Sequence, residues 1–400
     1  MSGDGGIVTF QYDDGRKDLV IEVDANCRPK KKAMKNRFYS TVGNARRAIV
    51  EGVTQIQYGP FKNFDSLDEI VLSDGLIEIE AAAFAGLRFL KNIVFPETLR
   101  TIGSNAFNQC EMLILPRFPE GLTSIENRAF WGCSSFTSFA FPKNVSVEDD
   151  VLRRCVNLAS VTFPPEITQI GEGACFDCPL LKSVTIPQNV TLIGESAFAN
   201  CTSLESIKLP NNVTTLGEGV FTGCTSLKKI ELSTKLGWIP QTTFDSCSSL
   251  TYIKVPASVR EILDVAFVSC TSLARIDIQN SNIVIKQSAF QSCPKINFVN
   301  IHDTAIIDFG FHHGRRLRAF LRDEVQFFGN TKPAWKFVFY SVLPKNISWR
   351  ENFQKTPREG FTDRATALAA LSTFRDHYGR RETPSLPEHV IDNIFRLTPD

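Results

Sequence analysis

Along most of the chain the apolar residues return in a fixed figure. In Leu204-Glu-Ser-Ile-Lys-Leu-Pro210, apolar Ile207 and Leu209 alternate with polar Ser206 and Lys208. That two-residue alternation predicts a half-buried strand with Leu204, Ile207 and Leu209 inward and Ser206 and Lys208 outward. Pro210 has no N–H to give to a ladder, so it predicts the strand's end. The figure belongs to a longer one, Gly194 to Pro210 (GESAFANCTSLESIKLP), which recurs 23 residues later at Gly217 to Ser233 and 23 residues earlier at Gly171 to Pro187. A period between 20 and 29 residues predicts a solenoid, in which each unit buries its apolar face only against its neighbours.

Four positions define each unit. An aliphatic residue comes first, as in Ile79, Ile102, Ile193 and Ile239, and five residues later an aromatic anchor, as in Phe84, Phe107, Phe198 and Phe244. Three further on is a cysteine: Cys110, Cys133, Cys155, Cys178, Cys201, Cys224, Cys247, Cys270 and Cys293, with Phe64 and Leu87 holding that place in the first two units. The strand follows. The glycines before the anchor, Gly194 and Gly217, read as turn formers. Together these make about eleven units from residue 51 to 302. Stacked anchors account for 32 Phe against 6 Tyr. The pattern slips where Leu152 and Cys175 replace Phe, where the unit 143–164 is one residue short, and where Glu111-Met-Leu-Ile-Leu-Pro blurs a strand. A kink or altered curvature is expected near residues 143–180.

The flanks differ. In residues 1–50, Ile7–Tyr12 and Asp18–Val23 surround the turn signal Asp13-Asp-Gly and predict a capping hairpin. Arg28 to Arg37 then carries six basic residues in ten, which reads as a solvated loop, a nuclear-import signal or a contact for an acidic partner. In residues 303–400 the apolar spacing predicts a C-terminal helical cap at Arg315–Phe328, a further helix over Phe361–Tyr378 and a short one over Ser385–Leu397.

The unit I-G-x-x-A-F-x-x-C-x-x-L-x-x-I-x-I-P resembles the Treponema-type (BspA-like) leucine-rich repeat, over about residues 51–302. The resemblance implies an α/β solenoid, a right-handed curved array of 23-residue units with one short parallel strand each on the concave face. It also implies a binding or adhesion protein with no catalytic residues in the repeat. The segment Ser385-Leu-Pro-Glu-His-Val-Ile-Asp-Asn-Ile-Phe-Arg-Leu397 resembles the opening of an F-box, which implies a ubiquitin-ligase substrate adaptor; its other reading is a packed terminal helix.

Composition narrows the rest. A formal charge of +1 steers the molecule toward neither nucleic acid nor membrane. No stretch reaches about 18 apolar residues, and no positive n-region precedes an apolar run, so neither a membrane span nor a secretory leader is expected. Eleven Cys without metal spacing read as free buried thiols, which fits a reducing compartment and an intracellular, cytoplasmic or nuclear, location. His312-His313 is the nearest thing to a metal pair and lacks further ligands. No nucleophile elbow or phosphate-binding glycine loop occurs. The expectation is a non-enzyme without cofactor or metal, with a protein partner.

Surface is then what remains to carry function. The outward strand positions form two columns. One runs Glu69, Asn92, Ser138, Ser160, Ser183, Ser206, Lys229, Tyr252, Arg275, and the other ends Thr185, Lys208, Glu231, Lys254, Asp277. The middle is small and neutral, and the C-terminal end is charged. Tyr and Arg favour interface hot spots, so the candidate partner-binding residues are Lys208, Lys229, Glu231, Tyr252, Lys254 and Arg275.

Overall fold

The computed structural model describes residues 5–13, 17–28, 44–57, 61, 64, 66–280, 283–286 and 288–296, and the strand backbone at 298–300, 306–307 and 326–327. The described repeats stack in one direction as parallel rungs. Ser160–Thr162 pairs with Ser183–Thr185, Ser206–Lys208 with Lys229–Glu231, and Tyr252–Val255 with Arg275–Ile278, each in a register one period apart. Burial alternates as the pattern demands: Leu204, Ile207 and Leu209 are buried, whereas Ser206 and Lys208 are exposed. The ladder lapses between Ser183–Thr185 and Ser206–Lys208, between Lys229–Glu231 and Tyr252–Val255, and at residues 114–118. There Pro116 occupies the inward place that Ile93 and Phe139 hold in adjacent rungs, and it brings no N–H.

A second parallel ladder runs through the aliphatic position, where one strand per unit was expected. Its strands are two residues long, among them Glu78–Ile79, Thr101–Ile102, Ser124–Ile125, Leu192–Ile193 and Glu261–Ile262. Two backbone seams therefore link the units, although neither ladder is continuous between the units of Phe221 and Phe244. In the segment expected to kink, the first seam keeps its register from Ser138 through Ser160 to Ser183. The second seam divides there, between Ser146–Val147 and Gln169–Ile170.

Both ends of the array are strands. Gly5–Gln11 pairs antiparallel with Leu19–Asp24 on one side and with Arg47–Glu51 on the other, and Arg47–Glu51 starts the parallel ladder. At the far end Phe298–Asn300 pairs with Gln326–Phe327. Those two residues were expected to close a helix, and they instead extend the ladder. No helix occurs among the described residues. The rest of the expected helical cap, the helices over Phe361–Tyr378 and Ser385–Leu397, the basic residues 29–37 and His312-His313 lie outside them.

Between the seams lies the file of anchors. Phe61, Phe84, Phe107 and Phe130 succeed one another at ring-centroid distances of 5.1, 5.3 and 5.4 Å. Phe198, Phe221, Phe244 and Phe267 do so at 6.0, 5.7 and 4.9 Å, with planes within 19° of parallel. Leu152 and Cys175 keep the place, fully buried, without a ring. Beside that gap Phe139, Phe141 and Phe163 form a second run of rings at 4.7 and 5.5 Å.

The cysteines are tied to this file. Each ladder thiol donates to the backbone carbonyl of the anchor one unit back: Cys224 Sγ to Phe198 O at 3.2 Å, Cys247 Sγ to Phe221 O at 3.2 Å, Cys270 Sγ to Phe244 O at 3.1 Å. The anchor's own N–H donates forward, Phe221 N to Thr243 O at 2.9 Å. A buried carbonyl left unpaired is costly. A cysteine is small and apolar yet carries a weak donor, and it fits both demands of the slot.

The glycines have a different task from the one expected. Gly194 and Gly217 do not take the left-handed conformation. A Cβ on Gly194 would lie 2.6 Å from Glu172 N, and one on Gly217 would press onto Glu195 N, so they allow close approach of successive units. The left-handed turn falls two residues later and is taken by unlike residues, including Asn105, Arg128, Asp150, Ser196, Thr242 and Val265. Asp150 is the buried carboxylate of the short unit, held by Arg128 Nε and Arg153 Nη1, each at 3.0 Å. Arg153 in turn lies 4.0 Å over the Phe176 ring.

Candidate protein-interaction surface

The strand register brings the six candidate residues together in two groups. Lys208 stands opposite Glu231, and Lys229 lies two residues before it on the same strand. Glu231 accepts from Lys229 Nζ at 2.8 Å and from Lys208 Nζ at 3.4 Å. Lys229, then Lys208, hold its carboxyl below the usual carboxylate range. These side chains are well exposed, 71 and 78% for the lysines, so the pairs contribute little to stability. What they do is fix where the charges stand.

The second group is aromatic. Tyr252 stands opposite Arg275, whose guanidinium carbon lies 5.6 Å from the ring centroid. The Tyr252 hydroxyl reaches Asp277 Oδ2 at 3.5 Å. Partial burial, then the Asp277 charge, raise the Tyr252 hydroxyl's pKa. A cation over an aromatic face is worth about 0.5–1 kcal/mol at an exposed site. Lys254 stands opposite Asp277 and makes no described hydrogen bond or ion pair. Asp277 was not among the candidates, although adding one period to Lys254 reaches it.

N-terminal to these groups the same face carries exposed Ser138, Ala140, Ser160, Thr162, Ser183 and Thr185. Acid gathers elsewhere. A groove of about 340 Å³ along the second seam has Gly171, Gly194 and Gly217 in its floor and Glu172, Glu195 and Glu218 on its wall.

The thiols are built for packing. All eleven are free and buried. Burial pushes the Cys224 thiol up to about 12, and burial followed by the nearby Asp24 does the same for Cys27. A thiol held protonated in this way is a poor nucleophile. Among the described residues no three His, Cys, Asp or Glu side chains group closely enough to hold a metal ion. Nor is any described helix long and apolar enough to cross a membrane.

The family described as BspA type leucine rich repeat region, in six copies, matches residues 54–182 and 168–297. No curated protein matches the chain. Among solved structures it is similar to a leucine-rich repeat protein from Bacteroides ovatus, at 22% identity over 83% of this chain and 100% of that one, with a TM-score of 0.42. It is also similar to a leucine rich cell surface protein from Faecalibacterium prausnitzii, at 23% identity over 75% and 94% and a TM-score of 0.41. The leucine rich repeat protein of T. pallidum is 31% identical over 47% of this chain and 86% of its own, with a TM-score of 0.39.

Proposed function

The chain belongs to the BspA-type leucine-rich repeat family, and from that premise we propose that it is a non-catalytic scaffold that binds a protein partner on its long-strand face. In this reading that face is the concave one. Residues 51–302 are the binding array, residues 1–50 its cap and residues 303–400 an attached extension.

The observation that carries the reading is the contrast within the long-strand face. Its inward residues stay apolar from unit to unit, while its outward columns pass from Ser and Thr to Lys229, Tyr252, Lys254 and Arg275 within a few units. Packing constrains the inward set and leaves the outward set free. Tyr and Arg there, on a rigid ladder, are what a hot spot requires. Eleven unpaired thiols support a reducing, intracellular setting.

The test compares affinity capture by the full chain with capture by K229E/K254E/R275E, after matched circular dichroism shows both folded. Loss of specifically captured proteins in the variant is the expected result, and an unchanged set removes the proposal. Ligase subunits among proteins that both forms retain would favour the adaptor reading through residues 385–397.

A further inference from the structure

We propose that the partner presents an acidic polypeptide segment to the Lys208–Arg275 end of the strand face. This rests on the reading above, that the strand face binds a protein.

The argument starts from the sign pattern along one column. Lys208, Glu231, Lys254 and Asp277 occupy the same place in successive units, paired as Lys208 with Glu231 and Lys254 with Asp277, so the charge alternates. The flanking column adds Lys229 and Arg275 with Tyr252 between them. Among the described outward side chains of these strands, four cations stand with two carboxylates, an excess of two positive charges. The whole chain carries only +1, and Glu172, Glu195 and Glu218 lie along the other seam. The surplus is therefore local, and exposed charges act over about one Debye length, 8–10 Å.

Spacing argues for a polypeptide over a nucleic acid. Rungs of a ladder lie about 4.8 Å apart. Lys208 to Lys254, and Lys229 to Arg275, are each two units, or about 10 Å; the ladder is unpaired between Lys229–Glu231 and Tyr252–Val255, where the Phe221 and Phe244 rings still lie 5.7 Å apart. Carboxylates set along an extended chain can meet such cations and leave the intervening position to Glu231 in one column and to Tyr252 in the other. A nucleic-acid strand, with a phosphate for every 3.4 Å or so of duplex axis, would bring charge against those two carboxylates as well. The Tyr252 ring, 38% exposed and flanked by Arg275, gives the segment an apolar footing. Glu231 pairs with both Lys229 and Lys208 and so offsets part of their charge.

Fluorescence anisotropy on the full chain tests this, with labelled peptides of equal length rich in Glu and Asp, rich in Lys, or neutral, and with a single-stranded DNA. The acidic peptide is expected to bind best and to weaken steeply with added salt. K254E should weaken it about tenfold, since an exposed attraction is exchanged for a repulsion. E231Q should tighten it severalfold, an effect that a merely structural role for Glu231 would not produce. Equal urea midpoints for all three proteins control for folding. Equal binding of the Lys-rich peptide, tighter binding of the DNA, no binding of the acidic peptide, or weaker binding by E231Q overturns the proposal. If the acidic peptide fails while K229E/K254E/R275E still loses its captured proteins, only the acidic chemistry falls. If neither responds, the strand-face reading falls with it.

Discussion

Phe221 lies inside the file, fully buried, with Phe198 at 6.0 Å and Phe244 at 5.7 Å on either side and planes within 10° of parallel. Phe221→Ala removes a whole buried ring, and changes of that kind cost about 3–5 kcal/mol. The spread depends on how far the site can collapse. Here it cannot collapse far, because two backbone seams tie the unit to the preceding one, and the Phe221 N to Thr243 O, Gly223 N to Asp245 O and Cys247 Sγ to Phe221 O bonds tie it to the next. We therefore expect about 4 kcal/mol, the middle of that range. Phe221→Leu should cost roughly 1–2 kcal/mol, since volume-conserving apolar changes are tolerated best and Leu152 already fills an equivalent slot. Urea unfolding followed by circular dichroism measures both. The geometry makes a sharper demand on double variants. Phe221 and Phe244 touch, so Phe221→Ala with Phe244→Ala should depart from additivity by about 0.5–1.5 kcal/mol. Phe221 and Phe267 are separated by Phe244, so that pair should be additive within about 0.5 kcal/mol. Equal coupling in the two pairs, or a loss under about 1 kcal/mol for Phe221→Ala, would show that the rings do not act as nearest neighbours in one file.

Three further outcomes follow from the same geometry. Val265 holds φ at +54°, costly for a β-branched side chain; Val265→Asn should raise stability by roughly 1 kcal/mol in urea unfolding, and a loss would mean that the valine's contacts outweigh its strain. Gly217→Ala should lower stability by roughly 1–3 kcal/mol, because the new Cβ meets the Glu195 backbone, whereas Gly75→Ala meets no atom within 4 Å and pays only for its φ of +99°. Alkaline pH should unfold the array: the folded Cys224 thiol lies near 12 against an ordinary 9.0, so its contribution is complete below about pH 9 and is lost as pH rises toward 12, at about 1.4 kcal/mol per pH unit per thiol. The urea midpoint should fall less steeply with pH in Cys224→Ala than in the parent, and parallel slopes would remove this account.

How much of this was legible depends on whether a position is defined by a side chain or by the backbone. The anchors and the long strands were legible because burial selects residue type, and Phe84, Phe107 and Phe221 recur as letters. The second seam was not. A two-residue strand such as Glu78–Ile79 is too short to show alternation, and only its backbone pairs. The left-handed turn was hidden for the same reason, since Asn105, Ser196 and Val265 share a φ and no chemistry. Cysteine recurrence was plain and its cause was not, because the Phe198 carbonyl that Cys224 serves belongs to the preceding unit. The candidate surface lies between these cases. Counting by 23 gives the columns, and even Asp277, from the sequence alone. That Glu231 takes Lys229 on its own strand as well as Lys208 across the rung is a matter of rotamers, which periodicity does not contain. Repetition thus reports what a unit owes to its neighbours. Where an outward column abandons it, as between Ser206 and Arg275, packing no longer explains the residue, and that is the ground on which the partner-binding proposal rests.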